Sequence, residues 1–239
     1  MEKEKNLNEE GIDPEINATE ELTDSENSLN IGKYKSVFIV VAIAIVVIGA
    51  VWFFRYKQEQ DSIRASVLLS RVSAYIESAD FQKALDGDPA MKYGSESVVG
   101  LIKIVKDFEG TDQGKIAALH AASAYSALNK YKEAKKYYEI AKNSSAKDIQ
   151  AGANAGLASC LELEGKFVES AEMYEKASTL SDVENVKARY LTYSALCYEK
   201  ANNKENAEKY FRQVVDFYKN SEFVSIAKSG LVRIGTVIE

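Results

Sequence analysis

Histidine occurs once in this sequence, as His120, and cysteine twice, as Cys160 and Cys197. A catalytic histidine needs a nucleophile or carboxylate partner held at fixed geometry, and the sequence nominates none. It also lacks metal-ligand spacing of His and Cys, a glycine-rich phosphate loop and a nucleophile elbow. No enzymatic activity, metal, cofactor or small-molecule substrate is therefore expected. Proline is as scarce, with only Pro14 and Pro89, so long uninterrupted helices are allowed over almost the whole chain. A basic excess is missing too: 30 Lys and Arg stand against 36 Asp and Glu, a net charge of −6. Residues 1–35 hold four lysines and ten acidic residues, which is the whole imbalance, and the remaining 26 basic and 26 acidic residues cancel. Such a neutral surface has no basic stripe for phosphates, which excludes nucleic acid as a partner.

What the chain does have is an uncharged, proline-free run over residues 37–54, VFIVVAIAIVVIGAVWFF. At a 1.5 Å rise per residue it spans about 27 Å, close to the hydrocarbon core of a bilayer. Thirteen of its residues are Val, Ile or Phe, which favours insertion by about 4–8 kcal/mol. A helix buried in a soluble core would show polar residues on one face, and this run shows none. Lys33, Lys35, Arg55 and Lys57 flank it, with Tyr34, Trp52 and Tyr56 at the places of interfacial aromatics. It follows some 36 residues and ends in Trp-Phe-Phe-Arg-Tyr, with no small-residue cleavage site, so we expect a retained anchor rather than a signal peptide. Gly49 has no small residue four positions away, so the span lacks a GxxxG-type pairing motif.

These features divide the chain into an acidic tail (residues 1–35), a transmembrane helix (36–56), anchor-proximal helices (57–110) and a repeat region with a capping helix (111–239). The tail is poor in large apolar groups and is expected to be disordered. Lys and Arg counts near the span, with Arg64 and Arg71 added on the C-terminal side, weakly favour a cytoplasmic C-terminal domain. Long domains, however, translocate largely regardless of charge. After the span one helix is expected to run to about Leu85, stopped by Asp86-Gly87-Asp88-Pro89. A second is expected from Glu96 to Phe108, closed by Gly110.

Beyond these the sequence repeats itself. Ala122, Tyr125, Asn129, Tyr131, Ala134, Tyr138 and Ala141 form one copy, and Ala158, Leu161, Gly165, Phe167, Ser170, Tyr174 and Ala177 a second at the same spacings. Ala195, Tyr198, Asn202, Lys204, Ala207, Phe211 and Val214 form the third, the copies being offset by 36 and 37 residues. The small residues let paired helices approach, and Gly or Asn supplies the left-handed turn between them. The rings at 138, 174 and 211 are expected to fill the gap to the next pair. The pattern resembles the tetratricopeptide repeat, which implies an all-α fold: a single N-terminal transmembrane helix followed by a short right-handed α-solenoid. A last helix, from Glu222 to about Val237, carries one stripe of Phe223, Ile226, Ala227, Leu231 and Ile234 and suits a terminal cap. Cys160 and Cys197 fall at equivalent positions of neighbouring copies, about 10 Å apart, too far for a disulfide, so both are expected as free thiols.

The concave face of such a solenoid is lined mainly by the first helix of each pair. Repeat spacing assigns it Leu119, Ser123 and Ser126, then Ala155, Ser159 and Glu162, then Thr192, Leu196 and Glu199. These residues are small and mostly neutral. The paired Lys and Asn with which some tetratricopeptide domains grip a terminal carboxylate are not among them. Such a groove suits a loosely specific extended or partly unfolded segment; alternatively, the positions merely face solvent.

An acidic tail, one anchor and a short repeat array, with the Ala79-Asp-Phe-Gln-Lys-Ala-Leu-Asp-Gly87 and Gly114-Lys-Ile-Ala-Ala118 segments, resemble the bacterial ancillary subunit family of the SecYEG translocon. The resemblance implies a single-pass protein of the bacterial inner membrane with its tail cytoplasmic and its repeats periplasmic. It further implies a chaperone-like adaptor, with SecYEG and unfolded envelope proteins as partners. A structural or assembly subunit of another inner-membrane complex is the competing expectation.

Overall fold

The computed structural model describes residues 31–236. The acidic tail lies outside the described residues up to position 30, as does the expected helix end at Val237. The chain divides into two compact units, Met1–Val51 and Trp52–Glu239. In the first, every described residue is helical, and Val37, Phe38, Ile39, Val40 and Val46 are all exposed. This is part of helix α1 (Ile31–Glu77), whose length and composition are enough to cross a membrane. The helix already includes residues 31–35, at the end of the stretch assigned to the tail.

The second unit is a stack of helix pairs, an α-solenoid. Burial on α1 sets in at Ala65, Leu68 and Val72, one stripe at helical spacing. The helix ends at Glu77, well before Leu85. Ala79 turns the chain at φ 56°, and α2 (Phe81–Asp86) follows, with the Asp80 carboxylate accepting from the Lys83 N–H. The expected single helix is therefore a helix–turn–helix. Its turn bonds the Asp80 N–H to the Tyr75 carbonyl at 2.9 Å and the Ala79 N–H to the Ile76 carbonyl at 3.1 Å. The same two bonds recur around Asn129, Gly165 and Asn202, all at positive φ, and form Schellman turns. Alanine in this conformation costs about 1–2 kcal/mol, which is why Ala79 does not read as a turn. The pairing of Val72, Leu85 and Ala84 with the core outweighs it.

Residues 87–100 then form an insertion. β1 (Gly87–Tyr93) and β2 (Glu96–Val99) pair antiparallel with a bulge between Asp88 and Lys92, and α3 (Leu101–Phe108) follows. The expected helix from Glu96 thus starts five residues late, because β-branched Val98 and Val99 pair with the strand begun at Gly87. Glu96 fastens the hairpin to α1 by accepting from Arg71 at 2.7 Å and Arg64 at 3.0 Å. Asp88 fastens it from the other side, accepting from the Tyr75 hydroxyl at 2.8 Å and the Ala90 N–H at 2.9 Å and pairing with Lys83 at 3.1 Å. Those bonds, Tyr75's first, hold the Asp88 carboxyl down to about 2. Because the folded value lies below the ordinary one near 4, the contribution is complete above about pH 4 and is lost as pH falls through about 2. A carboxyl-carbon NMR titration should therefore place Asp88 near pH 2. Amide protection factors across residues 87–99 should fall over the same window and stay constant between pH 5 and 8.

Three regular pairs come next: α4 (Asp112–Ala127) with α5 (Tyr131–Ala141), α6 (Lys147–Leu163) with α7 (Phe167–Leu180), and α8 (Glu184–Lys200) with α9 (Lys204–Phe217). Helix α10 (Val224–Arg233) closes the described part. Ala122, Ala134, Ala158, Ala195 and Ala207 are wholly buried, as the repeat pattern requires. Ser170, the exception among these small residues, is buried with its hydroxyl bonded to the Ala158 carbonyl at 2.8 Å. Tyr138 and Phe211 pack against helix positions occupied by Gly156 and Gly230, where a Cβ would stand 2.2 and 2.3 Å from the ring carbons. Both cysteines are free and buried. On α10 the buried stripe is Ala227, Gly230 and Leu231, while Ile226, expected inside, is exposed.

Candidate protein-binding face

The first helix of each regular pair presents the expected positions to differing degrees. Ser123 and Ser159 are exposed, and Leu119, Ser126, Ala155 and Leu196 are half-buried. Ser126 lies 3.3 Å from the Tyr138 hydroxyl, and Leu119 lies against Gly152 of the next first helix. Thr192 does not line the face: it is 0 % exposed and donates to the Ala188 carbonyl at 2.8 Å. The outer place passes to Tyr193, 36 % exposed, whose ring meets Tyr174 and Phe223 edge-on. At this level the neighbouring helix is α10, and Phe223 at its start joins Tyr193 and Tyr174 in an aromatic row.

Glu162 and Glu199 serve the stack as much as the surface. Lys200 donates to Glu162 at 2.6 Å, and Arg233 grips Glu199 with two bonds of 2.7 Å, each reaching back one pair. Both cations are held above their ordinary pKa by the carboxylates they meet. The acids thus act as rungs between successive first helices, leaving the neutral Ser123 and Ser159 as the open part of the face. None of this supplies a nucleophile: burial pushes the Cys197 thiol up to about 11 and lowers the pKa of the His120 imidazole.

One part of the face escaped the repeat pattern. Leu69, Ser73 and Ile76 on α1 stand at the same steps as Leu119, Ser123 and Ser126, fifty residues earlier. With Gln113, Ile116 and His120 of α4 they line an open, mostly apolar recess of about 380 Å³. The signal was present as Tyr75, Phe81 and Ala84, which echo Tyr125, Tyr131 and Ala134. The 14-residue hairpin insertion broke the period and hid it.

A family model described as a tetratricopeptide repeat-like domain matches residues 32–187, and one for the tetratricopeptide repeat matches residues 190–221. A comparison with curated proteins returned no match. The longer match takes in the first, hairpin-interrupted pair and the first two regular ones, with their turns at Ala79, Asn129 and Gly165, and the shorter match takes in the fourth turn at Asn202. With well over half of its length matched and its helix pairs stacked in this way, the chain belongs to the tetratricopeptide repeat-like domain family.

Proposed function

We propose that the protein is a membrane-tethered adaptor that binds other proteins through the first-helix face, handling secreted chains beside the Sec translocon. The observation that carries this reading is the open row of small neutral residues, Ser123 and Ser159 with half-buried Leu119, Ala155 and Leu196, between acids already engaged in the stack. Such a surface accepts extended segments without demanding one sequence. The tether is the apolar stretch of α1, and the repeat unit stands on the periplasmic side of a bacterial inner membrane, following the family resemblance. The Lys and Arg counts that pointed the other way carry little weight, because long domains translocate largely regardless of charge.

A photo-crosslinking residue placed at Ser123 or Ser159 should capture SecYEG components or secreted chains in cells. The same residue at exposed Lys176 on α7 should capture few. A reporter fused after Glu239 should be active only outside the cytoplasm. Capture of an unrelated membrane complex alone, or a silent reporter, would overturn this assignment. A second reading, an assembly subunit, is favoured by Phe217 and Val232, which leave 76 % and 64 % of their surface exposed on the last helices. It requires that crosslinks arise from those positions instead.

A further inference from the structure

The recess between α1 and α4 has a counterpart at every later level of the stack, and there it is filled. Ile76 and His120 hold the steps that Ser126 and Gly156 hold one pair on. Between Ser126 and Gly156 sits the Tyr138 ring, supplied by the second helix α5. Two levels later the Phe211 ring sits on Gly230 in the same manner, and at the level between them Tyr174 meets Tyr193. In the first pair no ring stands at the step of Tyr138: α2 carries Phe81 only at its start, where Tyr131 stands on α5, and after the hairpin α3 carries aliphatic Ile102 near its start. The walls that elsewhere hold an aromatic side chain are therefore present without one. They are Leu69, Ile76 and Ile116, with the His120 ring and the small Ser73.

The charge around the recess is one-sided. Glu77 stands at its rim, is exposed, and makes no ion pair among the described residues. The other acids of this face, Glu162 and Glu199, are each taken by a cation of the next first helix.

We propose that this recess is a socket for an aromatic side chain of a partner polypeptide, one bearing a lysine or arginine beside the ring to meet Glu77. The proposal rests on the protein-binding reading and specifies its anchor: the partner's ring completes the level that the insertion left open, as Tyr138, Tyr174 and Phe211 complete the others. Ring against Leu, Ile and imidazole supplies the apolar contact, and the neighbouring cation supplies the pairing that Glu77 lacks.

His120 is the only histidine, so full-length protein labelled with carbon-13 histidine, held in lipid nanodiscs, gives a single imidazole signal from the wall of the socket. The probes are end-blocked peptides Gly-Tyr-Arg-Gly, Gly-Leu-Arg-Gly and Gly-Tyr-Glu-Gly. The Tyr-Arg peptide is expected to move the signal saturably. The Leu-Arg peptide should bind about tenfold more weakly and the Tyr-Glu peptide about threefold more weakly. Glu77→Lys, an exposed change, should reverse the order of the two tyrosine peptides. Ser73→Trp, which fills the recess from within, should abolish all three responses. A signal unmoved at about 10 mM peptide overturns the proposal. So does equal response to leucine and tyrosine, which would describe a general apolar or lipid-contacting surface, and so does a shift set by protein concentration alone, which would describe a second copy of this chain. If crosslinks at Ser159 capture clients while His120 stays silent, the adaptor reading stands and the socket falls. If His120 responds but no protein is captured anywhere, the socket stands and the adaptor reading falls.

Discussion

Phe211→Ala is expected to destabilise the repeat unit by about 3–5 kcal/mol, the range for deleting a fully buried ring. Phe211 is the largest of the fully buried side chains, at 0 % exposure, and its ring is set against Gly230 of α10. Glycine has no side chain to lean into the vacated space, so the cavity would persist. Chemical denaturation followed by circular dichroism would measure the loss. Because each pair in such a stack contacts only its neighbours, amide protection should fall first in α9 and α10. A second substitution makes the argument sharper. Gly230→Leu alone should also be destabilising, since its Cβ would stand 2.3 Å from the ring, yet combined with Phe211→Ala it should recover part of the loss. Simple additivity of the two would refute the packing described. Tyr125→Ala, by contrast, should cost less than the 3–5 kcal/mol its place in the repeat pattern suggests, because Tyr125 is only half-buried and stacks on Tyr137 with ring centres 5.4 Å apart.

Gly100→Ala is expected to cost about 3 kcal/mol or more, at or beyond the upper end for inserting one carbon into a packed site. The added Cβ would lie 2.2 Å from the Leu85 carbonyl oxygen and 2.3 Å from both the Asp86 carbonyl carbon and the Gly87 nitrogen. All three are backbone atoms, so no rotamer change relieves the contact. Gly87 and Gly100 form the neck at which the hairpin leaves and rejoins the stack, and Gly87 adds a φ of 91° that other residues resist. Separation of the neck should loosen α2 from α3 and release the Arg71–Glu96 pair. The expected readout is a large drop in thermal midpoint together with rapid exchange over residues 87–108. Gly94→Ala at the hairpin tip, where a Cβ meets nothing within 4 Å, controls for the mere loss of a glycine, although its φ of 67° costs something by itself. Equal effects at positions 94 and 100 would contradict the neck.

The regular pairs were legible because each turn fell on Gly or Asn and each close contact on Ala or Ser, two constraints with few chemical solutions. The first pair was not, for two physical reasons. Ala79 occupies a conformation that its own propensity opposes, so local reading continues the helix through it. The hairpin insertion separates Phe81 and Ala84 from the rest of their copy, so a period near 36 never aligns them. The candidate face was legible to the extent that repeat spacing sets direction. At the expected positions Ser123 and Ser159 are exposed and Leu196 is half-buried, whereas Thr192 is buried with its hydroxyl on the Ala188 carbonyl. The recess beside His120 was hidden with the first pair, since only the interrupted register shows Ile102 standing where Tyr138 stands one copy later.

Helix α6 has a consequence in time as well as in space. Ala153, Leu157 and Cys160 belong to the apolar cluster shared with α1 through α5, while Ala151 and Ala158 belong to the one shared with α7 through α10. Either half can therefore open while the other still shelters one side of this helix. Its amides should be the slowest in the repeat unit to exchange with solvent, and when the chain refolds, α6 is the wall on which whichever half forms second is assembled.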